Sequence, residues 1–128
     1  MTKSILLDKY PINSLEIAKN ATDLTDVDQF IEYFKNKIEQ HPIAAFISTF
    51  DHYAHTSSIN GVINEDIISA KAIVFCFGAK LPNSKMLAVR PRSFSITEFK
   101  NSFVIDFMDA PNEEFQITME EWSKEIIK

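Results

Sequence analysis

The chain has 128 residues, one ordinary domain, and at that length folding buries roughly two-thirds of the unfolded surface, so neither a disulfide nor a metal is needed to hold it together. It is 45% hydrophobic and 24% charged, with eleven Phe to fill the core, as in soluble globular proteins. Its net charge of −5 argues against a general nucleic-acid coat, and its one cysteine rules out an internal disulfide and fits a reducing compartment.

The start, MTKSILLDKY, has only the apolar run Ile5–Leu7 before Asp8, short of the about 7–15 residues of a secretory signal. No run approaches the ~20 residues of a membrane span. These features place the chain in the cytoplasm, with no membrane partner. Residues 1–13 read as an N-terminal extension of a single domain spanning 1–128.

Residues 14–20 alternate Leu15 and Ile17 with polar residues, which reads as a short strand, with a helical turn as the alternative. The clearest helix covers 25–42: Val27, Phe30, Ile31, Phe34 and Ile38 form one apolar stripe, Thr25 stands at the cap position and Pro42 stops it. Residues 43–50 read as a strand with Phe46 and Phe50 on one face. After a longer excursion around Gly61, residues 64–71 read as a short helix. The continuous apolar run 72–77 predicts a central strand buried on both faces. Residues 83–90 form one or two helical turns with Ser84 as cap. Strands 93–99 and 103–108 flank a tight turn, so they are antiparallel. Residues 112–128 close the chain as a helix with Phe115, Met119, Trp122 and Ile126 in one stripe.

The expected fold class is therefore α+β: a single domain with a mostly antiparallel five-stranded sheet and two long helices on one face, in the order β-α-β-β-β-β-α. The two glycines, Gly61 and Gly78, lie far apart. Phosphate-cradling loops need clustered glycines, so a nucleotide cofactor is not expected, and no cofactor of another kind is indicated.

Short motifs run through this order: FDHYAHTSSINGV, AIVFCFG, the Pro82–Asn83 step, VRPRSFSI and FVIDFMDAP. Together they resemble the bacterial family catalogued as domain of unknown function 302, over about residues 14–112. The resemblance implies a TBP-like α+β sandwich, the same strand–helix–four strands–helix order, and family positions at Asp51, His52, Gly61, Gly78, Pro91 and Asp109. It implies no particular activity. The chain departs from the family pattern in three places. The family's Asn-Pro is Pro82-Asn83 here, its Leu-Pro is Arg90-Pro91, and Ala110 separates Asp109 from Pro111.

Two groups of residues carry possible chemistry. Asp51, His52, Tyr53 and His55 stand side by side. If the strand continues past Phe50, they diverge onto opposite faces. If a helix starts at 52, His52 and His55 become i, i+3 neighbours. Two histidines fall short of a zinc ligand set, so no metal is expected. The second group is a charge window: residues 71–100 hold Lys71, Lys80, Lys85, Lys100, Arg90 and Arg92 against Glu98 alone, a local charge of +5 in a chain of net −5. Arg90 and Arg92 flank Pro91 and would grip an anion if they faced together. The plainer reading gives them salt bridges to the acidic helices.

Three functions follow as expectations. The first is a small cytoplasmic module binding a small ligand, for which the charge window suggests an anion, near Asp51, His52, His55, Arg90 and Arg92. The second is a homodimeric interaction protein. The third is an acid–base enzyme using His52.

Overall fold

The computed structural model describes residues 1–128. Its first element is a strand where an extension was expected. β1 (Thr2–Leu6) pairs antiparallel with β2 (Tyr10–Ala18), in register from Thr2↔Ser14 to Leu6↔Tyr10. The turn between them puts Leu7 at φ 54° and Asp8 at φ 57°, and the Lys9 N–H donates to the Leu6 carbonyl at 3.1 Å. Two successive left-handed residues are the mark of a type I′ hairpin turn. That turn favours Asn-Gly; a Leu-Asp pair hides it from the sequence. The expected extension 1–13 is therefore the sheet's outer hairpin strand and the start of the next.

Helix α1 (Val27–Gln40) follows, capped by Asp26 rather than the expected Thr25: the Asp26 carboxylate accepts from the Gln29 N–H at 2.8 Å. Next come β3 (Ala44–Asp51), α2 (His52–Ser58), β4 (Ser69–Phe77), α3 (Lys85–Val89), β5 (Arg92–Glu98), β6 (Ser102–Met108) and α4 (Glu113–Lys124). The sheet has six strands in the order β1-β2-β6-β5-β4-β3, every neighbouring pair antiparallel. The chain is thus a single α+β domain with a six-stranded open sheet rather than the expected five strands, and with the short α2 and α3 beside the two long helices.

Both long helices lie on one face of this sheet. That face carries Leu15, Ile17, Ile73, Phe75, Phe94, Ile96, Phe103, Ile105 and Phe107, all buried in one core with the expected stripes of α1 and α4. Phe34 of α1 stacks on Phe94 at 4.1 Å between centroids, Phe30 tilts against Phe103 at 4.6 Å, and Trp122 of α4 meets Phe75 and Phe77. The Tyr33 hydroxyl donates to the Trp122 carbonyl at 2.6 Å and ties the helices together.

Neither long helix covers the opposite face; only the short α2 packs there, at its Phe50 edge. Ser14, Ser95, Val104 and Asp106 lie half-buried on this face, and the Ser14 hydroxyl donates to the Asp106 carboxylate. Strand β4 is buried mainly on the helix face: Ile73, Phe75 and Phe77 are covered there, while on the other face Ala72 is buried beside Phe50 and Val74 and Cys76 remain half-exposed.

Two further expectations change. A β-bulge between Phe46 and Ser48 inserts Ile47 and reverses the alternation. Phe46 opposes Phe75 on the helix face, while Phe50 opposes Ala72 on the open face, so these two Phe do not share a side. Residues 64–68 form a turn instead of a helix. The Asn64 side chain accepts from the Asp66 N–H at 2.8 Å, and the chain then runs straight into β4. An Asx turn of this kind competes with helix.

Candidate functional site

The sheet has two functional-looking ends, separated by the length of its strands, roughly 20–25 Å at 3.3 Å per residue. One end is built where β3 and β4 hand over to α2 and its following loop. The other is built where β4 ends and β5 begins.

At the first end the chain does turn into a helix at residue 52. Asp51 is its cap, accepting from the Ala54 N–H at 2.8 Å. Its other oxygen lies 3.8 Å from Lys71. His52 and His55 become i, i+3 neighbours, and both rings rest against Phe50, at 4.7 and 5.5 Å between centroids. Both are exposed, Tyr53 lies between them on the surface, and none of the four lines either main cavity. Lys71 is fully engaged: its ammonium lies 2.6 Å from Asp28 at the start of α1, and that hydrogen bond raises its pKa. No group of three His, Cys, Asp or Glu side chains is placed to hold a metal.

At the other end the structure brings Arg90 and Arg92 together. Gly78 closes β4, the chain swings out through Leu81 and Pro82, and α3 returns it to the sheet; the Asn83 side chain, rather than Ser84, accepts the Met86 N–H at 3.1 Å. Pro91 fixes the entry to β5, whose first residue Arg92 stands opposite Phe75. The result is a cavity of about 500 Å³ between α3, the start of α4 and the ends of β4 and β5. Its wall carries Lys80, Arg90 and Arg92; its floor is apolar, with Ile43, Met86 and the stacked rings of Phe77 and Phe115, 4.3 Å apart and 5° from parallel.

The expected salt bridges of the arginines do not form. The ion pairs of the chain use Lys3, Lys19, Lys37, Lys71 and Lys128, and none uses Lys80, Arg90 or Arg92. Arg92 donates from Nη2 to the Met108 carbonyl, and its Nε is buried with no partner. Burial lowers the Arg92 pKa, partly offset by the field of Asp109. That burial penalises the charge, so an arriving anion gains more here than it would at the surface.

Asp109 is engaged away from Arg92, by the buried Asn13 and, at 3.8 Å, by Lys3 at the surface. Asn13 is fully buried and donates to Asp109 at 2.7 Å and to the Phe107 carbonyl at 3.3 Å, while Gln116 of α4 donates to Asn13 at 3.2 Å. Asp109 is thus more than the simple turn residue that its place before Pro111 suggests. Asn112 is the cap of α4, accepting from the Glu114 N–H at 2.8 Å, and Glu114 itself lines the cavity.

A second, larger crease of about 970 Å³ lies on the face away from the long helices, edged by Glu16, Glu65 and Asp66 with Lys100 as its one cation. The five candidates named from the sequence therefore divide. Arg90 and Arg92 share a cavity; Asp51, His52 and His55 stand at the far end of the sheet and take no part in it. Lys80 belonged to the charge window but carried no further sign. Glu114, Phe77 and Phe115 gave no signal, because only docking of α4 brings them to the arginines.

Fold and cavity together define a two-layer α+β sandwich with a cationic, aromatic-floored pocket at one end of an open antiparallel sheet. The chain belongs to the family of unknown function DUF6858, which it matches over residues 1–128. This match replaces the resemblance to domain of unknown function 302; the short motifs behind that resemblance are features of strand ends and turns. No curated protein and no solved structure matches the chain. No helix is long and apolar enough to cross a membrane.

Proposed function

We propose that this protein is a small cytoplasmic binding module for an organic anion with an apolar body, held in the cavity of Arg90 and Arg92. One observation carries the reading: in a chain of net −5, three cations line one cavity with no carboxylate paired to any of them, above an apolar floor. The Arg90 fork can supply the bidentate donors that a carboxylate accepts, Arg92 adds its charge and its remaining N–H groups, and the Phe77–Phe115 pair supplies contact area for the remainder of the ligand.

Thermal shift across a panel of organic carboxylates and phosphates tests it. A ligand present at about a hundred times its Kd stabilises by about 2.7 kcal/mol, a shift of several degrees. Arg92→Leu should abolish that shift, and His52→Ala, at the other end of the sheet, should leave it intact. A panel in which no anion raises the melting temperature of the native chain would end this reading.

Self-association is the second reading, and β1 favours it. All five of its residues are exposed, Ile5 and Leu6 among them, its outer edge is unpaired, and exposed Leu7 follows directly. Edge strands are commonly blunted by bulges, as β3 is here, and β1 has none. Light scattering at high concentration distinguishes a monomer from a dimer joined at β1; a Ser4→Pro chain that remains dimeric would exclude this edge.

A further inference from the structure

We propose that the ligand of the Arg90–Arg92 cavity is a zwitterion, an apolar α-amino acid, whose ammonium is received by Glu114. The inference rests on the anion-binding reading and narrows it. Its ground is a second unpaired charge in the same cavity. Glu114 lines the wall together with Lys80, Arg90 and Arg92, yet its carboxylate forms no ion pair with any of them or with any other cation of the chain.

Opposite charges that line one cavity and stay more than 4.0 Å apart leave a gap between them. Each side has a reason to stay where it is. Glu114 sits in the first turn of α4, a twelve-residue helix, and its own N–H is fixed by the Asn112 cap. A carboxylate there is favoured by the partial positive charge of the helix start. Arg92 is anchored to the Met108 carbonyl with its Nε buried, and the Arg90 Nη1 lies beside Gly78, 3.7 Å from where a β-carbon would stand.

A molecule entering this cavity meets three cations, a carboxylate that none of them neutralises, and apolar rings among its lining. An α-amino acid presents that set at short spacing: a carboxylate and an ammonium on one carbon, and an apolar side chain from the same carbon. A phosphate or a simple dicarboxylate would bring a second negative charge toward Glu114, with nothing to place on the Phe77–Phe115 floor. The cavity's about 500 Å³ lies within the range of small-ligand sites and holds one such molecule.

The test is isothermal titration of the full chain with L-phenylalanine, L-leucine, 3-phenylpropionate (the same body without the amine) and inorganic phosphate. One amino acid should bind at least about tenfold more tightly than 3-phenylpropionate, the usual scale of a charge-assisted hydrogen bond. Glu114→Gln should remove that advantage and leave the affinity for 3-phenylpropionate unchanged or slightly improved, while Arg90→Ala should weaken both. Circular dichroism on Glu114→Gln checks that α4 is intact. If 3-phenylpropionate or phosphate binds as tightly as the amino acids, or if Glu114→Gln weakens all ligands alike, the zwitterion is wrong and the anion site stands. If none of the four binds and the wider carboxylate panel is also silent, both readings fail.

Discussion

Lys71 and Arg92 come from the same basic window, lie on the same face of the sheet and sit at opposite ends of it. Lys71 meets Asp28 at 2.6 Å and Asp51 at 3.8 Å, both supplied by the caps and first turns of neighbouring helices. Arg92 meets a backbone carbonyl and no carboxylate, because Asn13 holds Asp109 in a separate network. One cation is paired with carboxylates inside the fold and the other is not. Local charge counted along a sequence does not distinguish them; the supply of partners in three dimensions does.

The comparison depends on a rigid floor that keeps the two ends apart. Phe94 is fully buried and stacks between Phe34 and Phe75 at the centre of that floor. Phe94→Ala should cost about 3–5 kcal/mol in urea unfolding. The loss should appear as one transition reported equally by probes at both ends. Asn13→Ala comes next, at about 2–3 kcal/mol, since it strips a donor from Asp109 and leaves Gln116 short of a partner. It should also free Asp109 to approach Arg92, so anion binding should weaken although no cavity residue has changed. Binding that survives intact would show that Asp109 does not govern the free charge of Arg92.

A smaller effect concerns the joint between the helices. Burial, with help from the Glu125 charge, pushes the Tyr33 pKa from its ordinary 10.0 up to about 12. The unfolded chain therefore releases this proton near pH 10 while the folded chain keeps it, so stability should fall as pH rises from about 10 to 12. The full shift would correspond to about 2.7 kcal/mol, and the partial exposure of the ring reduces the expected loss to about 1 kcal/mol. Tyr33→Phe should flatten this alkaline limb in pH-dependent denaturation. Smallest of all is Lys71→Met, expected to cost at most about 1 kcal/mol and less at high salt, because its main partner Asp28 is exposed to solvent.

The parts of the fold that the sequence displayed are those with a full apolar period. Val27 to Ile38 and Phe115 to Ile126 mark both long helices, and the pair 93–99 and 103–108 marks a hairpin. The parts it concealed depend on single backbone events. β1 is fully exposed, and a Leu7–Asp8 turn, which costs on the order of 1 kcal/mol per left-handed residue, carries no Asn-Gly signature. The bulge at Ile47 leaves no mark in the alternation. The site was half legible for a related reason. Arg90 and Arg92 were visible as a charge excess, whereas Glu114 and Phe115 reach them only by way of α4. The His52 cluster stood out because its members are neighbours in sequence, yet in space Asp51 is occupied as a helix cap and the histidines lie against Phe50 on the surface.

The claim that Arg92 is kept unpaired for a ligand is tested most directly by melting the native chain and Arg92→Leu side by side, first alone and then with a saturating carboxylate from the binding panel. Without ligand, removing an uncompensated half-buried charge should leave Arg92→Leu as stable as the native chain or more so, by about 1 kcal/mol. With ligand the order should reverse, the native chain gaining several degrees and the variant gaining none. A variant that is markedly less stable than the native chain in both conditions, with no shift of either by ligand, would show that Arg92 is an ordinary structural cation and would contradict the account.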